Sequence, residues 1–145
     1  KILLYHSVNN NKNEFIQGLN LTISSTTFKK HLRYLQRHYQ IMPLKNLVHC
    51  LNEKYVPKRA IVITFDDGFA DNYRYAYPLL KRDNIPATIF LCTDCIGKKG
   101  SIWIQDLNYL INTCGATEVF NKIQNVNGFN IEDIVVQIRG TYDQG

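Results

Sequence analysis

Hydrophobic positions along this chain switch between two periods, and the switches mark its elements. Lys1 to Val8 reads as a short strand, followed by a polar, asparagine-rich loop from Asn9 to Asn13. Phe28, Leu32, Leu35 and Tyr39 then recur at helical spacing behind Ser24, Ser25, Thr26 and Thr27, residues suited to capping a helix start. Ile41 to Leu44 is a brief extended piece interrupted by Pro43, and Lys45 to Glu53 reads as a short helix ended before Pro57. Ile61-Val62-Ile63-Thr64-Phe65 is an apolar, β-branched run, the pattern of a buried strand. Tyr73, Ala76, Tyr77 and Leu80 return to helical spacing within Phe69 to Lys81, and Ile85 to Leu91 reads as a second buried strand. Strand, helix and strand joined by short connections predict a right-handed parallel unit. Beyond Gly97, Trp103, Leu107, Leu110 and Cys114 repeat helically and stop at Gly115. Lys98-Lys99-Gly100 and Asn127-Gly128 are turns, and Asn130 caps a last helix holding Ile131, Ile134 and Ile138. No internal repeat interrupts the order.

The strand at Ile61 ends in Asp66-Asp67-Gly68. Side chains alternate faces along a strand, so neighbouring acids would normally diverge. A sharp turn at Gly68 relaxes that alternation and brings both carboxylates to one site. In α/β folds the carboxyl end of a strand is where ligands bind. Two acids there divide labour, one holding a metal and the other moving a proton. The competing reading of Asp-Gly is a hairpin turn, but the helical spacing after Phe69 supplies no second alternating strand.

Thr64-Phe65-Asp66-Asp67-Gly68-Phe69-Ala70-Asp71-Asn72-Tyr73, then Pro78-Leu79-Leu80-Lys81 and Ile85-Pro86-Ala87-Thr88-Ile89-Phe90-Leu91, resemble the first half of a polysaccharide deacetylase (NodB-homology) domain. Leu3-Leu4-Tyr5-His6-Ser7-Val8 is similar to the opening of one branch of that family, carbohydrate esterase family four. The resemblance runs from Lys1 to about Gly97. It implies an α/β fold, part of a distorted (β/α) barrel of about seven strands, with a helical carboxyl-terminal segment. Residues 1–97 would be the first half of that barrel. Residues 98–145 would be a helical insertion or continuation, truncated before the family's His-x-x-x-His segment. A barrel typically needs ~200 residues or more, so 145 residues are expected to be a piece of one, with strand edges open.

The resemblance also implies roles. Asp66 would be the general base that takes a proton from water. Asp67 would be a ligand of a divalent metal, zinc first, with cobalt and nickel as alternatives. In the branch with a Tyr-His opening the motifs are permuted, so His6, at the end of the first strand, would be the general acid. The substrate would be an N-acetylated or O-acetylated polysaccharide, and the compartment the cell envelope or the outside of the cell. The family's two histidine ligands are missing here. The four histidines are His6, His31, His38 and His49. His31 and His38 lie two helical turns apart, about 10.5 Å, too far for one metal. Both read as solvent-facing, and His49 as incidental. The family's substrate-groove arginine is not found, and Arg74 reads as a surface residue. Trp103 offers a face for a sugar ring, but its place in the helical stripe points to core packing.

Composition changes this picture little. The fractions, 45% hydrophobic and 20% charged, are those of a soluble globular protein. The net charge of +5 fits an ordinary lysine-rich surface better than attraction to anionic polymers. No basic run interleaved with aromatics marks a nucleic-acid footprint, and no apolar stretch reaches membrane-span length. Cys92-Thr93-Asp94-Cys95 has redox or metal-ligand spacing, but zinc would want a second pair, so a structural reading is preferred. Two further classes compete with the enzyme. One is a degenerate deacetylase-like domain that binds glycans without cleaving them. The other is a magnesium-dependent phosphoacceptor, whose acidic pair would sit on the first strand rather than follow an earlier strand and helix.

Overall fold

A computed structural model describes residues 1–98 and 100–124. The predicted turn at Asn127-Gly128 and the helix after Asn130 lie outside these residues, as does Lys99 of the earlier turn. The element order is β1 (Ile2–Tyr5), β2 (Ser7–Val8), β3 (Thr22–Ile23), α1 (Ser25–His38), β4 (Gln40–Ile41), α2 (Leu44–Asn52) and β5 (Ala60–Phe65). A π-helical turn, Asn72–Ala76, then runs into α3 (Tyr77–Arg82), followed by β6 (Thr88–Ile89), a 3₁₀ segment at Thr93–Lys98, α4 (Trp103–Cys114) and α5 (Ala116–Gln124).

Every strand pairing among the described residues is parallel. β5 is the hub. It pairs along one edge with β1, Ile2 opposite Val62 through Tyr5 opposite Phe65. Its other edge takes β4 at Ala60 and Ile61 and β6 at Thr64 and Phe65. β2 and β3 form a separate two-stranded ladder. The fold is α/β with parallel strands and intervening helices.

The alternation of β5 explains why both its faces are apolar. Ile61, Ile63 and Phe65 pack with Phe28, Leu32 and Leu35 of α1 and with Leu80 and Ile85. Ala60 and Val62 pack on the opposite side with Met42 and Leu47. A strand covered on both faces reads as an unbroken hydrophobic run. The Ser24 hydroxyl accepts from the Thr27 backbone N–H at 3.0 Å, fixing the start of α1 as its Ser/Thr cluster predicts. Tyr5 stacks on Phe65 with ring centroids 5.5 Å apart, and Phe28 sits edge-on to both. These rings lie directly beneath the strand ends.

Three expectations change. The first strand breaks at His6 into β1 and β2, because Ser7 leaves the β5 edge to donate its N–H to the Leu21 carbonyl. Ile85–Leu91 is not a buried strand: Ile85 is buried, only Thr88 and Ile89 form ladder, and Ile89, Phe90 and Leu91 are exposed. Among the described residues β6 pairs only with β5, which leaves these side chains about half covered. Trp103 is 72% exposed rather than core. α4 is held by polar and ring contacts instead: Asn108 donates to the Phe15 and Gln17 carbonyls, Asn112 to that of Gln17, and Tyr109 stacks on Phe15. Helix α5 falls within the expected helical carboxyl-terminal segment.

Candidate active site

β1 and β5 end side by side. The register carries Tyr5 opposite Phe65, and the Asp66 N–H donates to the Tyr5 carbonyl at 3.0 Å. His6 and Asp66 are therefore the next residues at the carboxyl ends of two hydrogen-bonded parallel strands. The sequence predicts this placement for each, and the structure makes them neighbours. His6, Asp66 and Asp67 are all half-buried, dry enough to strengthen an electrostatic interaction and open enough to meet a ligand.

The turn comes one residue earlier than Gly68 alone would place it. The Gly68 N–H donates to the Asp66 carbonyl at 2.8 Å, closing a γ-turn around Asp67. Asp67 sits at φ 68° and Gly68 at φ 72°. A central residue with positive φ in a γ-turn is strained, and such strain of about 1–3 kcal/mol collects at functional sites. Asp tolerates it better than most residues because it is short and polar. Gly68 is needed twice over: its φ is left-handed, and a Cβ there would overlap Cδ2 of Leu91. The segment leaving β6 thus packs directly on the acidic turn, and the Phe90 N–H bonds the Phe65 carbonyl at 2.8 Å.

A buried polar pair, not anticipated from sequence, ties this turn to the first strand. The Ser7 hydroxyl donates to the Asp71 carboxylate at 2.7 Å, across 64 residues. Ser7 and Asp71 are 1% and 7% exposed. Burial pushes the Asp71 carboxyl above the usual range, while the Ser7, Val8, Asn9 and Asn72 hydrogen bonds pull it back. Only the sequence order Asp66-to-Asp71 hints at it, since nothing local places Ser7 nearby. Asn72, 2% exposed, follows at the start of the π-turn, and its amide atoms find no partner among the described residues. π-turns inside helices often mark functional sites.

Other histidines stand apart. His31 is exposed, and its Nδ1 meets the Tyr5 hydroxyl at 3.1 Å. Burial pushes the Tyr5 phenol up to about 12. His38 is exposed and packs against the Tyr34 ring, and His49 is exposed on α2. Arg74 is exposed, as expected of a surface residue.

A catalytic divalent transition metal usually takes three protein ligands. Among the described residues no three His, Cys, Asp or Glu side chains converge as a metal-binding group. His6, Asp66 and Asp67 therefore do not by themselves fit a zinc site. What they can do chemically is accept and donate protons at one place.

The chain is similar to known proteins over much of its length. A family model for polysaccharide deacetylases matches residues 53–131. YxkH of Bacillus subtilis, assigned to the polysaccharide deacetylases, is 36% identical over 100 residues, 68% of this chain and 33% of its own length. The poly-beta-1,6-N-acetyl-D-glucosamine N-deacetylase of Staphylococcus aureus is 33% identical over 55% of this chain and 28% of its own. The chain thus spans about a third of the length of the curated relatives it matches. Among solved structures, a de-N-acetylase from Aggregatibacter actinomycetemcomitans is 34% identical with TM-score 0.51, covering 61% of this chain and 35% of that one. IcaB from Ammonifex degensii, 24% identical, shares the fold with TM-score 0.58 over 77% of this chain and 48% of its own. The matched span contains the Asp66-Asp67-Gly68 turn, both strands that flank it and the helix between, and by that match the chain belongs to the polysaccharide deacetylase family.

Proposed function

We propose that this chain carries the acid–base half of a hydrolytic site that removes acetyl groups from an N-acetylated glucosamine polymer. The observation that supports it most is the pairing of His6 with Asp66 at adjacent strand ends, beside the strained turn that presents Asp67. In this reading Asp66 takes the proton from the attacking water, and His6 protonates the leaving nitrogen. An amide needs both, because hydroxide must be generated near neutral pH and an amine anion is a poor leaving group. The products are acetate and a free amino sugar. The glucosamine polymer is suggested by the names of the relatives, and an O-acetyl ester would meet the same machinery with an easier leaving group.

The seven-stranded barrel and the metal belong to the proposal. Asp67 would be one ligand of a divalent ion, zinc first, then cobalt or nickel. The remaining ligands would come from outside the described residues, because the described donor set does not fit by itself. Placement in the cell envelope or outside the cell also remains part of this reading.

That same shortage of ligands favours a second reading, a deacetylase-like domain that holds glycans without cleaving them. Zinc titration calorimetry on the chain and on Asp67→Ala separates the two. The hydrolase reading expects binding that passes through Asp67, weak because the family's two histidines are missing here, and lost in the variant. Heats that do not differ between the two proteins, together with retained binding of N-acetylglucosamine oligomers, favour the glycan binder.

A further inference from the structure

Acetyl hydrolysis leaves one motif unused, Cys92-Thr93-Asp94-Cys95. It follows β6 as the sequence suggests, but on a helical turn rather than an open loop. The Cys95 N–H donates to the Cys92 carbonyl at 3.1 Å, within the 3₁₀ segment that opens at Thr93. In a 3₁₀ turn side chains three apart eclipse one another, about 6 Å along the axis. That separation lies within the Cα range of a disulfide, roughly 4.4–6.8 Å. The Cys92 side chain is near enough to Cys95 to act on its thiol. Cys92 is exposed and Cys95 half-buried, so a reagent reaches the first more easily. The other cysteines sit elsewhere, Cys50 on α2 and Cys114 at the end of α4.

The position of the pair gives it a consequence. Leu91, one residue before Cys92, is the neighbour that a Cβ on Gly68 would strike. We propose that Cys92 and Cys95 are a reversible dithiol–disulfide pair that staples the segment leaving β6 against the Asp66-Asp67-Gly68 turn. The oxidant is a small-molecule disulfide of the glutathione type. The Cys92 thiolate attacks one of its sulfurs and expels a thiolate. Cys95 then attacks the Cys92 sulfur of the mixed disulfide and expels the second. Two electrons pass from the protein dithiol to the reagent, and two protons end on the released thiols. Partial burial first, then the Cys92 sulfur and the Asp94 and Asp106 carboxylates, hold the Cys95 thiol above its ordinary range. A high-pKa thiol is a poor leaving group, so the formed disulfide resists reduction through Cys95. The inference stands apart from acetyl hydrolysis and survives if that reading fails.

The test exposes the folded chain to glutathione disulfide and reads intact mass and the sites open to alkylation. A Cys50→Ser/Cys114→Ser variant keeps only the pair, and Cys95→Ser keeps only the attacking thiol. The double variant should become lighter by two hydrogens, and in it and in the wild type Cys92 and Cys95 should be protected together and restored by dithiothreitol. Cys95→Ser should instead retain a glutathione adduct on Cys92. Amide exchange at Gly68 and Leu91 should slow in the oxidised chain. A lasting adduct on Cys92 while Cys95 is present, or a bridge from either to Cys50, Cys114 or a second chain, would overturn the pairing. Formation of the pair with exchange at Gly68 unchanged would overturn the staple.

Discussion

Replacing Gly68 with alanine tests the geometry of the acidic turn, because two separable costs meet there. The first is backbone. Gly68 sits at φ 72°, and an L-residue in that left-handed region costs roughly 1–2 kcal/mol. The second is steric. The new Cβ would overlap Cδ2 of Leu91, whereas the Leu91 Cα, at 3.6 Å, is in ordinary contact. Leu91 is 58% exposed, so its side-chain end can swing into solvent at little expense. The backbone term should therefore dominate, giving a loss of about 1–2 kcal/mol, or roughly 4–8 °C in Tm at ~4 °C per kcal/mol. Thermal or urea unfolding of Gly68→Ala, Leu91→Ala and the double variant apportions the two costs. Coupling below about 0.5 kcal/mol means that the backbone carries the loss. Asp67→Gly should move the other way, gaining about 1 kcal/mol by relieving the γ-turn. A neutral Gly68→Ala, or a coupling as large as the whole loss, would refute the argument from left-handed backbone.

Three further perturbations follow from the same structure. Asp71→Asn keeps an acceptor for the Ser7 hydroxyl but removes the charge. Because burial raises the folded pKa of Asp71 above its unfolded value, the folded state binds the extra proton, and wild-type stability relative to the variant should fall as pH rises from the ordinary carboxylate range through that raised value, read by urea unfolding against pH. Tyr5, held up to about 12 from 10.0, follows the same sign: the unfolded phenol ionises first, so stability drops between those values and Tyr5→Phe should flatten that alkaline limb of the Tm curve. Leu32→Ala removes a side chain that is 1% exposed between α1 and β5, and should cost about 2–5 kcal/mol in chemical denaturation.

Much of this arrangement is legible in the residues. The doubly covered β5 announces itself as an uninterrupted apolar run, and α1 by its cap and its stripe of Phe28, Leu32 and Leu35. The placement of His6 and Asp66 at strand ends is equally local. What sequence does not yield is whatever depends on partners distant along the chain. The Ser7–Asp71 bond joins residues that share no motif and meet only because β2 lies beside the π-turn. The left-handed φ of Asp67 is hidden because the adjacent glycine already accounts for a turn in the sequence. Trp103 misleads because helical spacing reports a face, not what covers it: it lies on α4, which docks through Asn108, Asn112 and Tyr109. Ile89 to Leu91 fail for the same reason, being apolar on a strand that pairs with β5 alone among the described residues.

The central claim is that Asp66, at the end of β5 beside His6, moves the proton in acetyl hydrolysis. Acetate release from N-acetylglucosamine oligomers, with zinc, cobalt or nickel supplied in turn, tests it on the chain and on Asp66→Asn. The account predicts release that falls by about 10²-fold or more in the variant, the usual share of a general base, with the Tm unchanged. Release that is equal in the two proteins would contradict it.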